Sequence, residues 1–112
     1  MKRILYSMAL ALCALMLCLP AQAVRVPVTT YQELFSAMTM GKINDYYLVD
    51  DDTISVDREI NWSHFEGTYL VVPSNRTRNL DLNGFTLRYS TSNAQYSCAI
   101  TMRDNSVLNI YD

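Results

Sequence analysis

The sequence predicts a mainly β domain of about three stacked rungs, entered through a single short helix. Three observations carry this expectation. From Tyr46 onward apolar and polar residues alternate with a period of two, and Asn, Asp, Ser and Gly break the run into short strands joined by turns. A helical period occurs once, between Thr30 and Gly41. An approximate repeat also runs through the strands. A stack of rungs explains that repeat, but a small antiparallel β-sandwich or meander also repeats strands and turns, and alternation alone does not separate the two.

The chain has 112 residues, with nine Lys and Arg against eleven Asp and Glu. Met1-Lys2-Arg3 is basic, Ile4 to Leu19 is almost all apolar, and Ala21-Gln22-Ala23 has the small-x-small form of a cleavage site. Residues 1–23 therefore read as a secretory signal peptide and residues 24–112 as the exported domain, placing it as secreted, periplasmic or at the cell surface. Removing the leader leaves 89 residues with a net charge of −4. That length allows one core and excludes a two-domain enzyme with a cleft between its domains. A mildly acidic chain also weighs against nucleic acid or an anionic membrane as the main partner. The apolar run from Ile4 to Leu19 is shorter than the roughly 20 residues that a spanning helix needs, so no membrane span is expected after leader removal. Cys13 and Cys18 leave with the leader, and Cys98 alone cannot form an internal disulfide. Cys18 ends the apolar run as a lipidated cysteine would, yet Leu15-Met16-Leu17 before it are not the small residues that lipidation requires.

The elements follow in order. Val24 to Val28, with Pro27, is a short extended lead-in. Thr30 and Glu33 have the spacing of a capping box, Tyr31, Leu34, Phe35 and Met38 follow at helical spacing, and Gly41 supplies the stop. This helix, about 30–41, is expected to cap the strands by burying Leu34, Phe35 and Met38. The expected strands are Tyr46 to Val49, Thr53 to Val56, Thr68 to Val72, Asn79 to Leu82, Phe85 to Tyr89, Cys98 to Met102 and Val107 to Tyr111. Pro73 follows a strand and Asn83-Gly84 makes a turn, while Trp62, His64 and Phe65 read as a loop with partly buried aromatics. In the repeat, Ile54 and Val56, Leu80 and Leu82, and Leu108 and Ile110 flank one polar residue each, so that Ile54, Leu80 and Leu108 are the expected equivalents. Each pair shares a strand face, and three copies would form one apolar column.

Chemistry-bearing residues are few. Asp50-Asp51-Asp52, with Asp45 nearby, offers hard oxygen ligands, but the run lacks the spacing and distant Glu of a calcium loop and reads as a solvated turn. Asp57 and Glu59 share a strand face if the strand extends that far, the arrangement of a glycosidase pair and equally of any polar sheet face. His64 is the sole histidine and has no metal-ligand spacing around it. Cys98 begins an apolar strand and is expected to pack as a small hydrophobe. Arg76, Arg78 and Arg88 with Tyr89 and Tyr96 form a basic, aromatic stretch suited to stacking on sugar rings, or to an ordinary sheet surface. Asn61-Trp62-Ser63 and Asn75-Arg76-Thr77 fit the glycosylation pattern, relevant only in a eukaryotic host.

Thr29-Thr30-Tyr31-Gln32-Glu33-Leu34, then Leu80-Asp81-Leu82-Asn83-Gly84-Phe85-Thr86-Leu87, then Ile100-Thr101-Met102 with Ser106 to Asp112 resembles the amino-terminal part of exported right-handed parallel β-helix proteins, the pectate-lyase-like superfamily. The resemblance covers about residues 29–112 and implies a short parallel β-helix with an amino-terminal amphipathic capping helix. It implies no activity, because the superfamily spans lyases, hydrolases, tailspikes and adhesins. The mid-solenoid basic catalytic residues and calcium-binding acids of its lyases have no counterpart here, so no catalytic, cofactor-binding or metal-binding residue is assigned and no cofactor is expected.

Two functions follow as expectations. One is a non-catalytic exported solenoid segment, adhesive or carbohydrate-contacting. The other is the cap and first rungs of a polysaccharide lyase or glycoside hydrolase. Polysaccharide, or another protein strand at the carboxyl-terminal edge, is the expected partner, and an oligomer joined through that edge is compatible with either function. Intact-mass measurement of the exported protein should find its amino terminus at Val24; lipid on Cys18 would overturn that site.

Overall fold

The computed structural model describes residues 23–65 and 69–112. The leader reading over residues 1–22, with Cys13 and Cys18, and Thr68 of the expected Thr68 to Val72 strand lie outside the described residues. The described chain is mainly β, with parallel sheets and one short helix. Its strands are β1 (Arg25–Val28), β2 (Lys42–Ile43), β3 (Tyr46–Tyr47), β4 (Thr53–Val56), β5 (Ile60–Ser63), β6 (Leu70–Val72), β7 (Thr77–Asp81), β8 (Leu87–Ser90), β9 (Ile100–Met102) and β10 (Val107–Tyr111). A parallel sheet runs β1-β4-β7-β10, and two parallel pairs join β5 to β8 and β6 to β9. Among the described strands only β2 and β3 pair antiparallel, so those that carry the repeat form no antiparallel meander or sandwich.

The register corrects the predicted repeat. Ile54 pairs with Leu80, as the repeat expects. Leu80, however, pairs with Ile110 instead of Leu108, and Leu108 pairs with Arg78. The true equivalents are therefore displaced by two residues in the last copy. Such a slip keeps every side chain on its own face, which is why alternation could not reveal it. Most of the extra length of the second interval lies between β8 and β9, because the pairing offset is 27 residues from Ile60 to Leu87 and already 30 from Leu70 to Ile100, and the next turns keep it. Asn75 and Asn105 both take left-handed backbone conformations, at φ 61° and 57°, and the Asn105 side-chain amide donates to Asn75 Oδ1 at 3.3 Å. Within the strands, Asn109 Nδ2 likewise donates to Asn79 Oδ1 at 2.9 Å.

The inward faces of these strands build the core. Val26, Val28, Ile54, Val56, Leu70, Val72 and Leu80 are buried together with Ile60 and Trp62. On the outer face Arg25 reaches across β4 to Asp81, Nη2 to Oδ2 at 2.6 Å, and between them Ser55 is buried. The core thins toward β10, where Leu108 is half-buried and Ile110 is 56% exposed.

The helix α1 (Tyr31–Phe35) continues into a π-helical turn, Ser36–Met40, and stops at Gly41 with φ 65°. Thr30 Oγ1 accepts from the Glu33 backbone N–H at 3.1 Å, as a capping threonine should. The returning glutamate differs from the expected box: Glu33 Oε1 accepts from the Thr29 N–H and hydroxyl, one residue earlier. Tyr31, Leu34, Ala37 and Met38 are buried, whereas Phe35 is only partly covered. Helix and strands join through polar contacts too. The Val71 N–H donates to Thr39 Oγ1 at 3.0 Å, and Arg78 Nε donates to the Met38 carbonyl at 3.1 Å. A Cβ at Gly41 would lie 2.6 Å from Arg78 Nη2, so the guanidinium would have to shift, and the φ of 65° strains any residue with a side chain.

Leu34 is the helix residue to test. Leu34→Ala should cost about 2–5 kcal/mol in chemical denaturation, and Phe35→Ala clearly less. Equal effects of the two would contradict this packing.

Candidate functional site

Neighbouring strands assemble an aromatic and hydroxyl-rich patch. In β5, Ile60 and Trp62 alternate inward, and Trp62 pairs in register with Tyr89 of β8. The indole lies between Tyr31 of the helix, stacked at 5.4 Å and 25°, and Tyr89, tilted at 5.5 Å and 47°. Beyond this column the chain turns outward. His64 stacks on Tyr96 at 5.0 Å and 10°, and Phe65 lies 4.0 Å from the imidazole and is 86% exposed. The segment read as a loop is thus a strand through Ser63 with a turn after it. Its signal was present in the period-two spacing of Ile60 and Trp62.

Polar groups converge on the same place. Thr91 Oγ1 lies 3.1 Å from His64 Nδ1, and Asn93 caps the 3₁₀ turn Ala94–Tyr96 by accepting the Gln95 N–H at 2.9 Å. The Tyr89 hydroxyl donates to the Tyr96 carbonyl at 2.6 Å, tying the turn to β8. A depression of about 270 Å³ opens here, lined by Ser63, His64, Phe65, Ser90, Thr91 and Ser92. Flat aromatic faces beside hydroxyl and imidazole groups match a ligand with both apolar C–H faces and hydroxyls. Among the described residues no carboxylate bonds His64.

The residues singled out in the sequence scatter. Arg78 is 4% exposed and faces the core, where Nη1 has no hydrogen-bond partner among the described residues, so it offers nothing to a sugar. Burial, aided by Arg76 and opposed by Asp50 and Asp52, pulls its pKa below the usual guanidinium range. Arg76 is exposed near Asp50 at 3.8 Å, Arg88 points outward, and Tyr89 points in. Cys98 is exposed, because β9 begins two residues after it; its thiol donates to the Ile100 carbonyl at 3.0 Å. Strand β4 ends at Val56, which leaves Asp57 and Glu59 in a turn and removes the shared strand face. Asn61 and Asn75 of the two glycosylation patterns are exposed.

The aspartate run separates into different roles. Asp45 and Asp51 are exposed, and Asp50 Oδ1 accepts the Thr77 N–H at 3.3 Å. Asp52 is the surprise, being 2% exposed. Its Oδ1 accepts the Val24 N–H at 2.8 Å, and its Oδ2 accepts the Tyr46 hydroxyl at 2.7 Å and the Val49 N–H at 2.8 Å. Burial alone would raise its pKa, but the bonds from Val49, Val24 and Tyr46 and the positive charge of Arg78 outweigh it and hold the group below the usual carboxylate range. Among the described residues no group of three or more His, Cys, Asp or Glu could hold a metal ion. Compared with known proteins, the chain matches no family model, no curated protein and no solved structure.

The carboxylates give a pH dependence. Hydrogen bonds from Thr29 and Thr30 lower Glu33, and Arg25 with the Asn83 N–H lowers Asp81, as the three donors lower Asp52. Groups depressed in the folded state bind protons more readily when unfolded, so their stabilisation is complete above their unfolded pKa values and is lost as pH falls through the folded ones. The melting temperature should therefore hold steady down to about pH 4–5 and fall below it. Asp52→Asn should flatten that acid limb.

Proposed function

We propose that the parallel sheets are the faces of a short right-handed parallel β-helix of the pectate-lyase-like kind, and that the chain is an exported, non-catalytic segment contacting carbohydrate. The solenoid reading is supported by strand order: β4, β5 and β6 are followed by β7, β8 and β9, each lying parallel beside its counterpart in the preceding set. Asn83 and Gly84, both at positive φ, form the turn after the leucine-aspartate strand of the resemblance.

The observation that carries the carbohydrate reading is the exposed Phe65 and the His64–Tyr96 stack beside the hydroxyl-lined depression. The described residues lining the depression are uncharged apart from the imidazole, which favours a neutral sugar chain as the ligand. The sequence pointed instead to Arg76, Arg78, Arg88, Tyr89 and Tyr96, of which Tyr96 lies in the exposed part of the patch and Tyr89 supports it from the inner column. The partner-strand reading has its own support in β10. Val107 and Tyr111 bond to the β7 side, so the backbone groups of Leu108 and Ile110 face outward, and no described strand pairs with them.

Binding to a panel of neutral and anionic oligosaccharides tests the proposal. A neutral oligosaccharide should bind, and Phe65→Ala and Tyr96→Ala should each weaken it by about tenfold while far-UV circular dichroism stays unchanged. Absence of binding across the panel, or binding indifferent to both substitutions, would refute it.

A further inference from the structure

Asp52 is buried as a carboxylate whose three hydrogen-bond donors are all neutral, and among the described residues no ion pair reaches it. Its one charged neighbour, Arg78, acts on it without a direct bond, and a buried charge that lacks a direct ion pair is costly. One of its donors is the backbone nitrogen of Val24, the first residue after the expected cleavage bond. We propose that cutting after Ala23 converts this amide into an α-ammonium group that forms an ion pair with Asp52, so that leader removal completes the folded structure. The inference rests on reading residues 1–23 as a leader.

The chemistry is simple hydrolysis by an exporting leader peptidase. Water adds across the Ala23–Val24 peptide bond, the C–N bond breaks, the hydroxyl remains on the Ala23 carboxyl group, and the amine of Val24 leaves and takes up a proton at neutral pH. The nitrogen need not move. It already stands 2.8 Å from Asp52 Oδ1, and the Val24 carbonyl, accepting the Thr53 N–H at 2.9 Å, anchors the residue at the start of the β1–β4 ladder. Ala23 is exposed and Val24 is 41% exposed, so the bond lies at the surface. A neutral hydrogen bond becomes a charge-assisted one. Cleavage at another bond would put the positive charge elsewhere.

The other charged and titratable groups near this nitrogen are Arg25 beside it on β1, Tyr46 on β3, Asp45, which lines a separate depression together with Val24 and Tyr46, and Arg78 acting on Asp52 from β7. An α-amine ordinarily titrates at about 7.7–8.0. Burial alone lowers an amine, whereas an ion pair with Asp52 raises it, so the sign of the shift separates the two.

The test begins with the full 112-residue chain expressed in an exporting host, with intact mass giving the terminus of the exported protein. Acylation of the α-amine by an amine-specific reagent is then followed against pH, by mass spectrometry of the terminal peptide, in the folded chain and in urea. A terminus at Val24, with an apparent pKa about one unit above that in urea and acylation near neutral pH slowed about tenfold, supports the pair. Asp52→Asn should abolish the rise; if that variant does not fold, the comparison with urea still decides. A Val24 terminus whose pKa equals or falls below the unfolded value overturns the ion pair and leaves the leader reading intact. A terminus elsewhere, or a retained leader, overturns both.

Discussion

Parallel pairing between strands distant in sequence is the constraint on which the rest depends. It stacks Val26, Ile54, Leu80 and Ile110 in one column and sends the intervening residues to the opposite face, so each set of strands buries the one before it. A helix is then needed against the first strands, and α1 with its π-helical turn supplies both apolar cover and, through Thr39, an acceptor for the Val71 N–H. Arg78, forced inward by its place in the alternation, finds the Met38 carbonyl at the end of that helix.

The two edges of the long sheet are unlike. On β1 the carbonyls of Val24 and Val28 accept from Thr53 and Asp57, so Pro27, of opposite parity, faces away from β4. An imide without an N–H on that edge blunts further pairing. On β10 the outward groups belong to Leu108 and Ile110, whose backbone N–H groups remain intact. Among the described strands the sheet thus ends on one side in an edge interrupted by Pro27 and on the other in an edge whose N–H groups are all intact.

Much of the strand pattern was legible because alternation and turn residues are local signals. Thr53 to Val56 and Val107 to Tyr111 have the predicted bounds, and Asn83-Gly84 forms the predicted turn. What was hidden depends on partners distant in sequence. The longer interval between the last two copies of the repeat comes from the longer connection between β8 and β9, and a slip of two positions leaves no trace in the polarity pattern. The burial of Arg78 and of Asp52 was hidden because charge predicts exposure, while the carbonyl and N–H groups that bond to them come from Met38, Val24 and Val49. The aromatic patch was half visible: His64, Phe65 and Tyr96 each drew notice, but only the Ser63–Ser90 register brings their two segments together.

The parallel arrangement also sets a timetable for folding. Apart from β2 and β3, every described strand must find a partner across a long intervening loop, as β4 does with β7, and closing such loops consumes chain entropy before any ladder bond is gained. Topologies dominated by distant pairings fold slowly. The exceptions are contiguous: α1, its π-helical turn and the β2–β3 hairpin occupy residues 31–47 and can form from local contacts. Those residues are the part of the fold whose contacts are local, and each later set of strands has its partner surface only once the preceding set is in place.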